Sequence, residues 1–239
     1  MDEDRAAEDD GTTELDRSTK EDRTTEGDRA AGDDHPTENS SNYRVLAVPE
    51  AGRLRLLDRE TYEPVVTAAS GHDAPVEEVR PGYLLDADLD WSTTEPTVRS
   101  LSVICPTLYA FADGIDPVFE VARETWSEAR ATGDSMNSRV TRNTDNEVNG
   151  VVYVFAEEGT GGVGGAGGIF EEFRDGARPL EPLIDRVNER DGPAPREVFV
   201  LRPAGGRFVV VTIALRKGGR FADTLRDTYD RPRPPEPLA

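Results

Sequence analysis

Lysine is almost missing from this chain of 239 residues: only Lys20 and Lys217 break a basic set that is otherwise arginine. Cysteine is reduced to Cys105, and histidine to His35 and His72. A single cysteine excludes an intrachain disulfide framework and suits a reducing compartment, so a cytoplasmic location is expected. Beyond residue 42 the chain has one cysteine and one histidine, too few ligands for a structural zinc site; no metal and no cofactor are expected. Long apolar runs are also missing. The longest uncharged stretch, residues 100–112, is thirteen residues, short of the ~20 that a membrane helix needs. Asp2, Glu3 and Asp4 stand where a signal peptide would begin with basic and then apolar residues. These shortages speak against a disulfide scaffold, a membrane-spanning protein and a secreted one.

Positive charge is scarce too. Against 28 basic residues stand 48 acidic ones, for a net charge of −20. Such a balance normally argues against nucleic-acid partners, because phosphates repel acidic surfaces. Abundant Asp and Glu with scarce lysine is also the dress of proteins that work in molar salt. There the Debye length is about 3 Å and surface charge says little about ligands.

What is present divides into four stretches. Residues 1–42 carry 15 acids, 5 basic residues and, as large apolar side chains, only Met1 and Leu15. Burial there cannot offset ordering entropy, so a disordered acidic tail is expected. Residues 43–114 read as strands. Apolar runs at 43–48 and 53–57 flank a hairpin turn, a weaker run covers 65–69, and 83–91 alternates with Leu85, Ala87, Leu89 and Trp91 on one face. Residues 98–105 make a further strand, interrupted at Pro106 and continued by 108–112. Residues 115–230 mix helices and strands. A helix is predicted over 117–131, capped by Asp116 with Pro117 at its first position and Gly133 at its end. A buried strand covers 150–156, and short helices cover 169–175 and 182–190. Strands 197–202 and 207–215 form a hairpin, the second apolar on both faces like a central strand. A last helix covers 220–229. The proline-rich end, 231–239, reads as loose. The fold class is α+β: an N-terminal antiparallel curled sheet or half-barrel, then an αβ half ending in a β-hairpin and helix. The two halves can share one core.

The stretches PTVRSLSVICPTLYAFADGIDPVFEVARETW, MNSRVTRNTDNEVNGVVYVFA and RKGGRFADTLRDTYDRPRPPEP resemble a family of uncharacterised proteins of salt-loving archaea, over about residues 43–237. The resemblance implies a high-salt cytoplasmic setting. It implies no activity and no catalytic residues.

Three segments are candidates for a site. Gly159, Gly161 and Gly164 fit the spacing of a dinucleotide fingerprint, as do Gly162, Gly164 and Gly167, between a strand and a helix. Glu157, Glu158, Glu171 and Glu172 crowd the place where a phosphate would want bare amides, so a flexible connection is the simpler account. The second segment is Arg216, Lys217, Gly218, Gly219 and Arg220. Three cations and two glycines open the last helix, where free N–H groups and the helix dipole already favour an anion. Pairing with surface carboxylates is the plainer alternative. The third is the polar stretch 134–149, whose Arg139, Arg142 and Asn143 offer forked donors for a carboxylate, phosphate or base edge. It reads equally as a hairpin whose asparagines serve only the turn. Asp86, Asp88 and Asp90 alternate as a solvated strand face, and Cys105, in an apolar strand beside Pro106, reads as buried and inert rather than as a nucleophile paired with His72.

The reading these residues favour is a non-catalytic binder of an anionic ligand: a nucleotide, a phosphorylated metabolite or nucleic-acid phosphate. Arg216, Lys217, Gly218, Gly219 and Arg220 would form one wall, and Arg139, Arg142 and Asn143 a second. The alternatives are an enzyme acting on a phosphorylated or nucleotide substrate, and an assembly subunit without a small ligand. Membrane partners are not expected.

Overall fold

The computed structural model describes residues 40–50, 53–157 and 168–238. Most of the acidic tail and all of the glycine-rich loop before Gly168 lie outside the described residues. Strands β1 (Ser41–Glu50), β2 (Arg53–Asp58), β3 (Pro64–Val66), β4 (Leu84–Asp90) and β5 (Thr97–Cys105) come first. They form an open, wholly antiparallel sheet in the order β3-β2-β1-β4-β5. The rest of the chain supplies β6 (Leu108–Ile115), α1 (Glu120–Thr132), β7 (Met136–Arg142), β8 (Val148–Ala156), α2 (Ile169–Asp175), α3 (Glu181–Asp191), β9 (Glu197–Pro203), β10 (Phe208–Ala214) and α4 (Arg220–Thr228). Its strands form a second open sheet, β6-β9-β10-β8-β7, antiparallel except where β6 runs parallel to β9. The fold is therefore α+β, and neither sheet closes into a barrel.

Strand β10, FVVVTIA, is buried throughout because it is the central strand and helices cover both faces. Successive side chains of a strand point to opposite faces. Val210 and Ala214 join Ala122 and Ala129 of α1 and Ala222 and Leu225 of α4. Val209, Val211 and Ile213 join Phe170 and Phe173 of α2 and Ile184 and Val187 of α3. The first sheet has its own apolar cluster, in which Leu85, Ala87 and Leu89 of β4 meet Val45, Leu54 and Leu56.

Several expectations shift. Residues 108–112 do not extend the N-terminal sheet. Pro106 lacks an N–H to continue the ladder, the Leu108 N–H donates to the Arg196 carbonyl at 2.9 Å, and β6 crosses to lie beside β9. Helix α1 starts at Glu120 rather than residue 117, and Asp116 does not cap it. The residues before it are taken by α4: the Phe119 N–H donates to the Tyr229 hydroxyl at 3.2 Å, which donates to the Pro117 carbonyl at 3.2 Å. Gly133 ends α1 in the left-handed conformation, as read from the sequence. Trp91 falls beyond β4 and is exposed, because Asp90 turns the chain by accepting the Ser92 N–H at 2.8 Å. The proline-rich end also makes specific contacts. Arg231 donates to the Phe111 carbonyl at 2.9 Å, Arg80 donates to the Pro235 carbonyl at 2.7 Å, and Leu238 packs on the first sheet's cluster.

Gly82 marks the place where the first sheet meets β6. Its φ is +98°, and a Cβ there would lie 2.6 Å from the Thr107 oxygen and the Tyr109 nitrogen. The close approach lets Gly82 donate to the Val45 carbonyl at 2.7 Å while Tyr109 donates to the Pro81 carbonyl at 2.8 Å. Gly133 also has positive φ but has open space where a Cβ would go. Gly133→Ala is expected to cost about 1–2 kcal/mol, the left-handed penalty alone. Gly82→Ala must also displace backbone and is expected to exceed that by about 1–3 kcal/mol. Urea midpoints of the two variants check the difference, and equal costs would contradict it.

Candidate functional site

Residues 215–220 connect the central strand β10 to α4, and the turn sends alternate side chains to opposite sides. The Gly219 N–H donates to the Arg216 carbonyl at 3.1 Å to close the turn, and Gly218 takes a φ of +67°, which favours glycine. Lys217 faces inward and is half-buried, while Gly218 is exposed but turns its N–H inward. The Gly218 N–H donates to Glu197 Oε1 at 2.8 Å. Lys217 pairs with Glu236, which also accepts the Tyr83 hydroxyl at 2.8 Å. Burial first, and then that carboxylate, push the Tyr83 hydroxyl well above its usual range.

Glu197 is the centre of this inner arrangement. Its side chain is fully buried, and its carboxylate is an acceptor for four donor groups. Oε1 takes the Gly218 N–H and Arg233, the latter at 3.1 Å from Nε and 2.7 Å from Nη2. Oε2 takes the Arg226 Nε, while the Arg226 guanidinium lies over the Phe199 ring at 5.4 Å and donates to the Arg231 carbonyl at 2.8 Å. The anions that Lys217 and Gly218 hold are thus the protein's own carboxylates.

Arg216 and Arg220 face outward and are exposed. Neither makes an ion pair or a side-chain hydrogen bond among the described residues. With Gly219, the N-cap of α4, they border a cavity of about 670 Å³ whose opposite wall is the β7–β8 hairpin, including Arg142, Asn143 and Asn149. Phe221 and Thr224 complete the α4 side. No side chain caps α4, so the positive end of its dipole faces the same space. Three guanidinium groups oppose two carboxylates, Asp145 and Glu147, on the lining.

The predicted second wall is therefore partly assembled. Arg142 lines the cavity while donating to the Asn146 carbonyl at 2.8 Å. Asn143 lines it too, but its side chain serves the turn: Oδ1 accepts the Asp145 and Glu147 N–H groups at 3.0 and 2.9 Å, and Nδ2 donates to Glu147 at 3.0 Å. Arg139 is elsewhere. It pairs with Glu124 at 2.6 Å and with Glu128, both on α1, and borders a separate cavity of about 170 Å³ with Arg186 and Arg190. His72 Nδ1 accepts the Val98 N–H at 3.1 Å and Nε2 lies 3.0 Å from the Ala68 carbonyl, while the partly buried Cys105 Sγ lies 3.6 Å from the Thr107 hydroxyl. Sequence reasoning missed Glu197, Arg226 and Arg233, since one buried carboxylate among so many acids carries no local signal. It also missed Phe221, which reads as an ordinary helix residue, whereas Asn149 closes the polar stretch 134–149 already singled out and does line the cavity.

An α+β protein with helices on both faces of its second sheet, and a cationic cleft at the start of its last helix, is the class this geometry defines. The chain belongs to a family of unknown function (DUF6663), whose family model matches residues 35–234. No curated protein and no solved structure matches the chain.

Proposed function

We propose that the protein is a non-catalytic binder of an anionic ligand, a nucleotide, phosphorylated metabolite or nucleic-acid phosphate, held in the cavity between the β7–β8 hairpin and α4. The observation that carries this reading is the state of Arg216 and Arg220. Both stand without a carboxylate partner among the described residues, whereas the third cation of the turn, Lys217, is held by Glu236. A third guanidinium, Arg142, and the uncapped amides of α4 converge on the same space. The cavity's volume of about 670 Å³ falls within the ~300–1,000 Å³ of small-ligand sites. The lysine-poor, acidic composition supports a cytoplasmic protein adapted to high salt, where short-range contacts survive screening.

The test is a thermal-shift series with pyrophosphate, mononucleotides and phosphorylated sugars on the wild type and on Arg216→Ala/Arg220→Ala. A ligand at ~100 times its Kd stabilises by about 2.7 kcal/mol, which at this size raises Tm by roughly 5–10 °C. The double variant is expected to lose that rise while keeping its unliganded Tm within a few degrees, because both side chains are exposed. An undiminished shift in the double variant would place the ligand elsewhere.

A further inference from the structure

We infer that the ligand is an amphipathic organic anion, whose charged group occupies the cleft at α4 and whose aryl or acyl group lies on an adjoining apolar surface. The inference rests on the anion-binding reading above. The adjoining surface is a second, shallower cavity of about 620 Å³, whose lining includes Pro106, Ala194, Pro195, Leu215, Arg216 and Arg233. The two cavities share Leu215 and Arg216, so the uncommitted guanidinium of Arg216 stands between them.

The polar groups along the second cavity show what it accepts. Lys217 is held by Glu236, and Arg233 by Glu197 and Asp223. The Gly218 N–H is given to Glu197, the Pro195 carbonyl takes the Lys217 N–H at 3.3 Å, and the Leu215 carbonyl takes Arg196 at 2.9 Å. A sugar or a base edge placed there would lose its hydrogen bonds to water and find these partners already engaged, which is costly. A ring or acyl chain loses nothing of that kind. It would cover the prolines and Leu215, and a ring could stack under the guanidinium planes of Arg216 and Arg233. The neighbouring cleft, with Arg142, Arg216, Arg220 and bare helix amides, suits the charged end.

Calorimetric titration of the full chain with phenyl phosphate and with inorganic phosphate tests this, using wild type, Ala194→Gln and Arg216→Ala/Arg220→Ala. Phenyl phosphate is expected to bind about ten-fold tighter than inorganic phosphate, the advantage of burying part of a ring. Ala194→Gln, which lays an amide over the apolar floor, is expected to erase that advantage and leave the inorganic phosphate affinity within about two-fold. Pro195→Ser serves the same purpose if circular dichroism shows Ala194→Gln to be unfolded. Equal affinities for the two ligands, both lost in the double arginine variant, would overturn the amphipathic inference and leave the anion site standing. A ten-fold advantage that persists in Ala194→Gln and Pro195→Ser would overturn the assignment of the second cavity. Binding of neither ligand to the wild type would overturn the inference together with the reading beneath it.

Discussion

Glu197→Ala is expected to destabilise the protein by about 3–5 kcal/mol, the usual cost of removing one partner from a buried ion pair. Glu197 is fully buried, and its loss leaves the 6 %-exposed Arg226 without its carboxylate beneath Phe199. It also frees Arg233 and the Gly218 N–H at once. Because Gly218 fixes the turn that points Arg216 outward, whatever Glu197→Ala protein remains folded should bind anions more weakly as well. Asp223→Ala is the control. Asp223 also pairs with Arg233, at 2.6 Å, but its side chain is 49 % exposed, so its loss should cost no more than about 1 kcal/mol. Urea denaturation of both variants reads the difference, and a Glu197→Ala cost no larger than the control's would contradict this account of the inner carboxylate.

The second large effect lies where the first sheet meets the helices. Arg44, on the opposite face of β1 from Tyr43 and Val45, donates to Glu181 at the start of α3 at 2.8 Å and to the Gly82 carbonyl at 2.7 Å. The Tyr109 hydroxyl donates to the same Glu181 oxygen at 3.3 Å, and burial, reinforced by that carboxylate, pushes the hydroxyl's pKa well up. Both partners are buried, and Glu181 Oε2 has no hydrogen-bond partner among the described residues. Glu181→Ala is therefore expected to cost about 3–5 kcal/mol, most of it the penalty of an uncompensated Arg44. Arg44→Met/Glu181→Leu removes both charges and keeps similar volume, and should recover most of that loss. If the double variant were as unstable as Glu181→Ala, packing rather than stranded charge would be the cause.

The parts of the fold legible in the sequence are those whose pattern is local. The central position of β10 follows from an apolar strand with no polar face, and Leu85, Ala87 and Leu89 announce a strand with one buried side. Gly133 announces the end of α1. What stayed hidden depends on distant partners. Nothing near Leu108 says that it will pair with Glu197 rather than continue from Cys105, and nothing near Phe119 says that Tyr229 will take its N–H. The candidate site divides the same way. Cations and glycines at the start of α4 are visible, and so is a polar hairpin. Which of Arg216, Lys217 and Arg220 face solvent depends on a turn fixed by Glu197, and the tail residue Glu236 claims Lys217. Arg139 and Arg142 differ in fate for a comparable reason: they lie on one edge strand, yet α1 places Glu124 and Glu128 beside only the first.

The central claim is that Arg216 and Arg220 hold an external anion. The most direct measurement is a calorimetric titration of pyrophosphate into the wild type and into Arg216→Ala/Arg220→Ala under identical salt. The account predicts saturable binding to the wild type, weakened at least about 100-fold in the double variant, for two charge-assisted contacts at ~1.5–3 kcal/mol each. Equal affinity in the two proteins, or no heat of binding in the wild type, would contradict it.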